Sequence, residues 1–166
     1  MSAKYSLESD LQLALELAAI ADEITMARYL AQDLVITTKP DNTPVTDADK
    51  ATEEALRKHL AQERPADGLV GEEFGNQNIE AARYWVIDPI DGTKNFMRGV
   101  PTWATLIGLV ERQDDGSEKV IVGAVSAPAL NRRWFASAGN GAFTSLSGGT
   151  PRRISVSKVS EIANAS

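Results

Sequence analysis

The sequence predicts an α+β fold in which two long helices pack on one face of a mostly antiparallel sheet. Two stretches carry apolar residues at the three-to-four spacing of a buried helical face, one over residues 7–34 and one from Thr46 onward. From residue 69 the pattern changes to short apolar runs separated by turn residues, mostly at hairpin lengths. Helices first and strands afterwards describe a layered α+β arrangement.

In the first helix, Leu11, Leu15 (with Ala14), Ala18, Ala21 and Ile24 follow one stripe. Ser9 with Gln12 three residues on is a candidate capping box, and Ser6 is the alternative start. Residues 37–44 are turn-rich and polar and predict an exposed loop. The second helix starts from Thr46, holds Asp49 in its first turn and is stopped by Pro65. Ala51, Ala55, Leu56 and Leu60 form its inner side, while Glu53–Arg57 and Glu54–Lys58 are favourable i,i+4 pairs. Strands are predicted over residues 69–70, 84–88, 103–111, 120–127, 133–138, 142–144 and 153–156. Asp114-Asp115-Gly116 and Gly139-Asn140-Gly141 supply turns between them. Trp85, Trp103 and Trp134 fall in strand patterns and are expected in the core. No repeat or linker divides residues 1–166, which read as one domain.

Composition narrows the function. With 166 residues, 43% of them hydrophobic, the chain can bury one core. Its 17 basic and 23 acidic residues give a net charge of −6, a poor match to nucleic acid or an anionic membrane. Absence of cysteine excludes disulfides and thiolate metal sites. His59, the single histidine, cannot build a zinc site alone and is expected at or near the surface. Any metal must then be held by oxygen, which points to Mg²⁺, Mn²⁺ or Ca²⁺. Lacking both a long apolar run and a leader at its start, the chain reads as cytoplasmic.

Three stretches place acids where acids are awkward. Asp88-Pro89-Ile90-Asp91-Gly92-Thr93 directly follows the apolar run Tyr84-Trp85-Val86-Ile87. A strand ending there should leave its sheet by a tight turn and deliver both acids to one point. The N–H groups of Gly92 and Thr93 face the same point if a helical turn follows, an arrangement suited to a phosphate. The second stretch is Gly71-Glu72-Glu73, and the third is Val45-Thr46-Asp47-Ala48-Asp49 at the start of the second helix. Each has a plainer reading: Asp47 and Asp49 complement a helix N-terminus, Glu72-Glu73 makes a solvated turn, and Asp88–Thr93 makes a structural Asx-type turn, although a turn needs only one acid and no specific Thr. Together they predict three or four carboxylates at one sheet edge, compensated by a cation or partly protonated. No P-loop is present. Acids three apart around a proline also differ from the Asp-x-Asp pattern of a nucleophilic aspartate, so a metal-activated water is favoured.

These residues resemble the signature blocks of the inositol monophosphatase superfamily: Val45–Asp49, Gly71-Glu72-Glu73, and the run from Trp85 through Asp88, Asp91 and Thr93 to Phe96. The resemblance continues through Gly99-Val100-Pro101, residues 123–128 and residues 139–142, and so covers nearly the whole chain. Within the superfamily, residues 94–107 and 126–134 look most like bacterial histidinol-phosphate phosphatases. The resemblance implies a sugar-phosphatase-type fold of alternating helix and sheet layers, of which this chain is the first part. It implies a phosphomonoesterase using two or three Mg²⁺ ions on a small-molecule phosphate: L-histidinol phosphate first, with inositol 1-phosphate or another polyol phosphate as the alternative. Glu72, Asp88, the Ile90 carbonyl and Asp91 would hold metal. Thr93 and Asp49 would orient the attacking water, with Glu72 favoured over Glu73 in assisting its deprotonation. Gly92 and Thr93 would offer N–H groups to the phosphate.

Family members extend further and carry a Trp-Asp motif that this chain lacks. The expectation is a weakened second metal site and little activity from this chain alone. A non-catalytic metal- or phosphate-binding fragment is the rival reading. No nucleic-acid or membrane partner is expected, and a homodimer is left open.

Overall fold

Ser6 starts the first helix by accepting the Ser9 N–H on its hydroxyl at 3.1 Å, and α1 runs over Leu7–Arg28. This is seen in the computed structural model, which describes residues 5–146 and 149–165; the start at residues 1–4, read above for a leader, lies outside them. The Ser9–Gln12 box does not form, since Gln12 donates to Glu16 at 3.0 Å instead. Nor does the helix reach residue 34: Tyr29 caps it, and Leu30 turns into the left-handed region at φ 66°. The buried stripe is Leu13, Ala14, Leu17, Ala18, Ala21 and Thr25, whereas Leu11, Leu15 and Ile24 are half-buried. Apolar residues surround much of this helix, so spacing alone selects an adjacent stripe. The alanines mark the side that can approach a sheet closely.

Residues 36–46 form a hairpin rather than the expected loop, with β1 (Ile36–Thr38) antiparallel to β2 (Pro44–Thr46). Its tip is closed by the Lys39 N–H on the Thr43 carbonyl at 2.8 Å. Asp41 Oδ1 adds to the closure by accepting from Thr43 N at 3.0 Å and Oγ1 at 2.6 Å. Thr46 then caps α2 (Asp47–Glu63) in a full capping box with Asp49. The inner side of α2 is Ala48, Asp49, Thr52, Glu53, Leu56 and Leu60. Ala51, expected there, is exposed, and Ala55 is half-buried.

The sheet elements are β3 (Gly68–Gly71), β4 (Gly75–Gln77), β5 (Arg83–Asp91), α3 (Thr93–Met97), β6 (Ala104–Arg112), β7 (Glu118–Ala127), β8 (Arg132–Ser137), β9 (Gly141–Leu146) and β10 (Arg152–Ile154). They form one eight-stranded sheet in the order β10-β9-β8-β7-β6-β5-β3-β4. Every pairing is antiparallel except β3 with β5. The unforeseen edge strand β4 makes this possible: it hairpins off one side of β3, and the chain returns on the other side as β5.

Both long helices lie on one face of the sheet. There Leu17 and Leu56 pack with Trp85, Ile87, Ile107 and Leu109, all nearly inaccessible. Each such large side chain contributes about 1.5–3 kcal/mol by its burial. Trp134 departs from expectation. It pairs with Val125 on the face away from the helices and is only half-buried there, beside Val86 and Leu106. A smaller cluster of Ile90, Phe96 and Trp103 with Tyr29 holds α3 against the end of β5, the Phe96 and Trp103 rings meeting edge-on at 4.9 Å. Among the described residues no helix is long and apolar enough to cross a membrane.

Candidate active site

β5 carries the central residues. Alternation turns Trp85 and Ile87 toward the helices and Val86 and Asp88 toward the other face. The expected tight turn out of the sheet is instead a bulge: pairing with β6 slips between Asp88 and Asp91, and Asp91 resumes it opposite Ala104. Proline at position 89 has no N–H to give the ladder, which favours a break there. The buried Thr105 hydroxyl fixes the bulge by donating to the Pro89 carbonyl at 2.8 Å, and Ile90 N–H donates back to Asp88 Oδ1 at 3.1 Å. Gly92 follows at φ 89°, where a Cβ would meet the Thr102 carbonyl at 3.2 Å. The turn of α3 predicted after Gly92 is present and begins at Thr93.

Asp49 is fully buried at the start of α2. Its Oδ2 accepts from Thr46 N at 2.8 Å and Thr46 Oγ1 at 2.6 Å, and its Oδ1 lies 3.3 Å from the Thr93 hydroxyl. The same hydroxyl is 3.0 Å from the Ile90 carbonyl. Residues 44 positions apart are thus joined through one oxygen. Burial raises the Asp49 carboxyl above its ordinary range, although the bonds from Thr46 and Thr93 work against it.

Glu72 and Glu73 turn out of β3 under the control of Glu53, a fully buried residue on α2. Glu53 accepts the Glu73 N–H at 2.6 Å and the Phe74 N–H at 3.1 Å, and Arg57 Nε donates to it at 2.8 Å. A side chain at Gly71 would collide with the Glu53 carboxylate. The predicted Glu53–Arg57 pair is therefore present, but it organises a buried turn rather than a solvated face. Lys39, from the hairpin tip, places its Nζ 2.8 Å from both Glu72 Oε1 and Glu73 Oε1. Sequence reasoning missed the roles of Lys39 and Glu53. A signal for Glu53 exists in its i+4 relation to Asp49 on the inner side of α2.

Charge is unevenly compensated. Burial, the Glu72 carboxyl hydrogen-bonded to it, and the charge on Asp91 push Asp88 up to about 8. Burial also works to raise Glu72, but the bonds from Lys39 and Asp88 outweigh it and hold Glu72 below its ordinary range. Glu73 is raised by burial despite Lys39. Asp88 and Glu72 thus stand as an unevenly compensated carboxyl pair, Glu72 backed by Lys39 and Asp88 not.

A cleft of about 290 Å³ opens over Glu72, Asp88, Asp91, Gly92 and Thr93. The structure therefore brings together the predicted Glu72, Asp88, Ile90, Asp91, Gly92 and Thr93, with Asp49 beneath Thr93. The predicted point of convergence for three or four carboxylates is not reached: among the described residues no three acidic or imidazole side chains close on one point. Lys39 holds Glu72, and one Asp88 oxygen is engaged by the Ile90 N–H. The donors nonetheless fit a hard divalent cation. All are oxygens, and a carboxyl raised by burial and by a neighbouring carboxylate is an arrangement such an ion relieves. His59 stays out of the cleft, its Nε2 3.9 Å from Glu16.

Residues 6–166 match the inositol monophosphatase family. Among curated proteins, the chain is 57% identical to a histidinol-phosphatase of Mycobacterium tuberculosis, covering 95% of this chain and 58% of that protein. It is 55% identical to a histidinol-phosphatase of Streptomyces coelicolor, with the same coverage of 95% and 58%. Among solved structures, the extragenic suppressor protein suhB from Bartonella henselae superposes with a TM-score of 0.78 at 27% identity, over 91% of this chain and 55% of that one. An inositol monophosphatase from Zymomonas mobilis gives 0.68 at 36% identity, over 86% and 53%. The chain spans 58% of the length of these two curated relatives.

Proposed function

The chain belongs to the inositol monophosphatase family, and from that premise we propose that the whole protein is a cytoplasmic, Mg²⁺-dependent phosphomonoesterase converting L-histidinol phosphate to L-histidinol. The observation that carries the reading is the contact between Thr93 and Asp49, set beside the Asp88–Glu72 pair in one cleft. Pure phosphate or metal binding needs no buried carboxylate behind a hydroxyl.

In this reading Glu72, Asp88, Asp91 and the Ile90 carbonyl would hold Mg²⁺, which when bound would lower the pKa of water and neutralise charge on the phosphate. The Thr93 hydroxyl has one hydrogen, given to Asp49 or to Ile90, and keeps lone pairs that accept a hydrogen bond from the attacking water. Asp49, raised by burial, is closer to neutrality than an ordinary aspartate and so a better final proton acceptor. Glu72 is the second acceptor at the cleft, a weaker base than Asp49 because Lys39 and Asp88 hold it below its ordinary range. It is favoured over Glu73, whose side chain is buried under Lys39. Gly92 and Thr93 offer N–H groups at the start of α3 to the phosphate oxygens. As water bonds to phosphorus and gives up its proton through Thr93 to Asp49, the ester P–O bond opposite it breaks and the departing alkoxide takes up a proton from solvent water.

Histidinol phosphate is preferred as substrate because the relatives at 55% and 57% identity are named histidinol-phosphatases. Phosphate release by the whole protein from a panel of esters tests this. The expected outcome is a kcat/KM for L-histidinol phosphate well above that for inositol 1-phosphate. A clear preference for the inositol ester would overturn the substrate assignment while leaving the chemistry in place.

A further inference from the structure

Lys39 bridges two carboxylates that differ in kind. The Glu73 side chain is 3% exposed, and its residue is pinned through its N–H to Glu53 at 2.6 Å. The Glu72 side chain is 43% exposed and borders the cleft. Nζ lies 2.8 Å from each. An ammonium is a compact charge with three donors on a flexible stem, so it can hold two acceptors and release one without leaving the other. The folded hairpin tip around Asp41 and Thr43 brings the stem to this place.

We propose that Lys39 is a positioning residue acting as a tethered cation: anchored on buried Glu73, it competes with the divalent ion for Glu72 and so sets how tightly the cleft takes up Mg²⁺. This rests on the reading of Glu72 as a Mg²⁺ ligand. A divalent ion taking Glu72 displaces one of the two contacts of Lys39 and leaves Glu73 neutralised. The ion therefore works against one ion pair rather than against an unpaired buried acid. The plainer account, in which Lys39 merely neutralises Glu73 and keeps the turn folded, predicts that any damage to the bridge weakens metal binding. Competition predicts effects of opposite sign.

Mg²⁺ titration by calorimetry separates the two, with circular dichroism to check folding. Lys39→Met should tighten Mg²⁺ binding by about tenfold, the order expected when a unit charge a few ångströms away is removed from a partly screened site. Lys50→Met makes the same change in net charge at a lysine whose Nζ reaches only the Thr37 hydroxyl, at 3.5 Å. It should shift affinity by less than about twofold, as an exposed and screened charge. Glu73→Gln leaves Lys39 to Glu72 alone and should weaken binding severalfold, and less so in the Lys39→Met background, where no lysine is released onto Glu72.

Lys39→Met no tighter than Lys50→Met, or Lys39→Met and Glu73→Gln shifting affinity in the same direction, would overturn the proposal. Should Lys39→Met fail to fold, Glu73→Gln decides alone, because unchanged or tighter binding contradicts competition. If Glu72→Gln leaves the Mg²⁺ isotherm of the wild type unaltered, the fault lies in the Glu72 ligand assignment, and the inference falls with it.

Discussion

Asp10 and Asp49 are both buried acids in the first turn of a helix, and they are compensated in opposite ways. Asp10 faces two guanidinium groups, Arg83 at 2.8 Å and Arg64 at 3.3 Å, and Asp67 nearby lies 3.6 Å from Arg83 and accepts the Trp85 indole N–H at 3.0 Å. Asp49 is met instead by hydroxyls and one N–H. Its hydrogen bond to Thr93 joins it to a cleft in which Asp88, raised by burial and by Glu72, has no cation of its own. Around Asp10 the fold supplies the countercharge itself. At the cleft it supplies one lysine for two glutamates and leaves the aspartates short of positive charge. Burial alone does not distinguish a structural acid from a functional one; the source of its countercharge does.

The sharpest way to break this comparison is to neutralise one acid in each cluster. Asp88→Asn should lower turnover of the whole protein on the order of 10³-fold at fixed Mg²⁺, as expected for losing several kcal/mol of metal-assisted stabilisation. Steady-state phosphate release checks it, and near-normal turnover would remove Asp88 from the metal site. Asp10→Asn should instead strike stability, by about 3–5 kcal/mol, because it strands Arg64 and Arg83 in a buried place. Urea unfolding measures that loss; a change under about 1 kcal/mol would mean the cluster around Asp10 is not the self-compensated one.

Thr93→Ala refines the account of the cleft. The hydroxyl carries no charge, so Mg²⁺ dependence and KM should stay nearly constant while kcat falls about 10²-fold, the pattern of a misplaced nucleophile. A raised KM with normal kcat would make Thr93 a ground-state phosphate ligand and end the water-positioning role proposed for its contact with Asp49.

The two clusters also differ in how far the sequence foretold them. Asp88, Asp91 and Thr93 stood out because they follow a buried strand with a proline between the acids. Pairing that strand with β3 then brought Glu72 to the same cleft, and Thr93 reaches Asp49 at the start of α2, but the acids do not close on one point as expected. Lys39 could not be placed, because its contacts lie 33 and 34 residues away and its hairpin consists of three-residue strands hidden among turn formers. Glu53 looked like half of a surface pair, since i,i+4 spacing does not tell which side of a helix is buried. The cluster around Asp10 gave no local signal either: Asp10, Arg64 and Arg83 are ordinary charges until α1, α2 and β5 are assembled. In the fold, the alternating strands were legible to within three residues at either end. The polar β4 (Gly75–Gln77) has no apolar alternation to reveal it, and α1 offered more than one apolar stripe.

The smallest effect is the most direct test of the central claim, that the cleft's acids lack a countercharge the fold does not supply. Asp88 is raised from an ordinary 3.8 to about 8. Between these values Asp88 is more protonated in the folded protein than in the unfolded chain, so without Mg²⁺ its contribution to stability falls as pH rises from about 4 to about 8. Asp49, Glu73 and Asp67, also raised by burial, add slopes of the same sign. Urea unfolding of wild type and Asp88→Asn should be followed across this range, with and without Mg²⁺. The account predicts a shallower decline in the variant, a variant at least as stable as wild type near pH 8, and stabilisation by Mg²⁺ of the wild type but not the variant. A variant less stable than wild type at pH 8 without Mg²⁺, or equally stabilised by the ion, would contradict it.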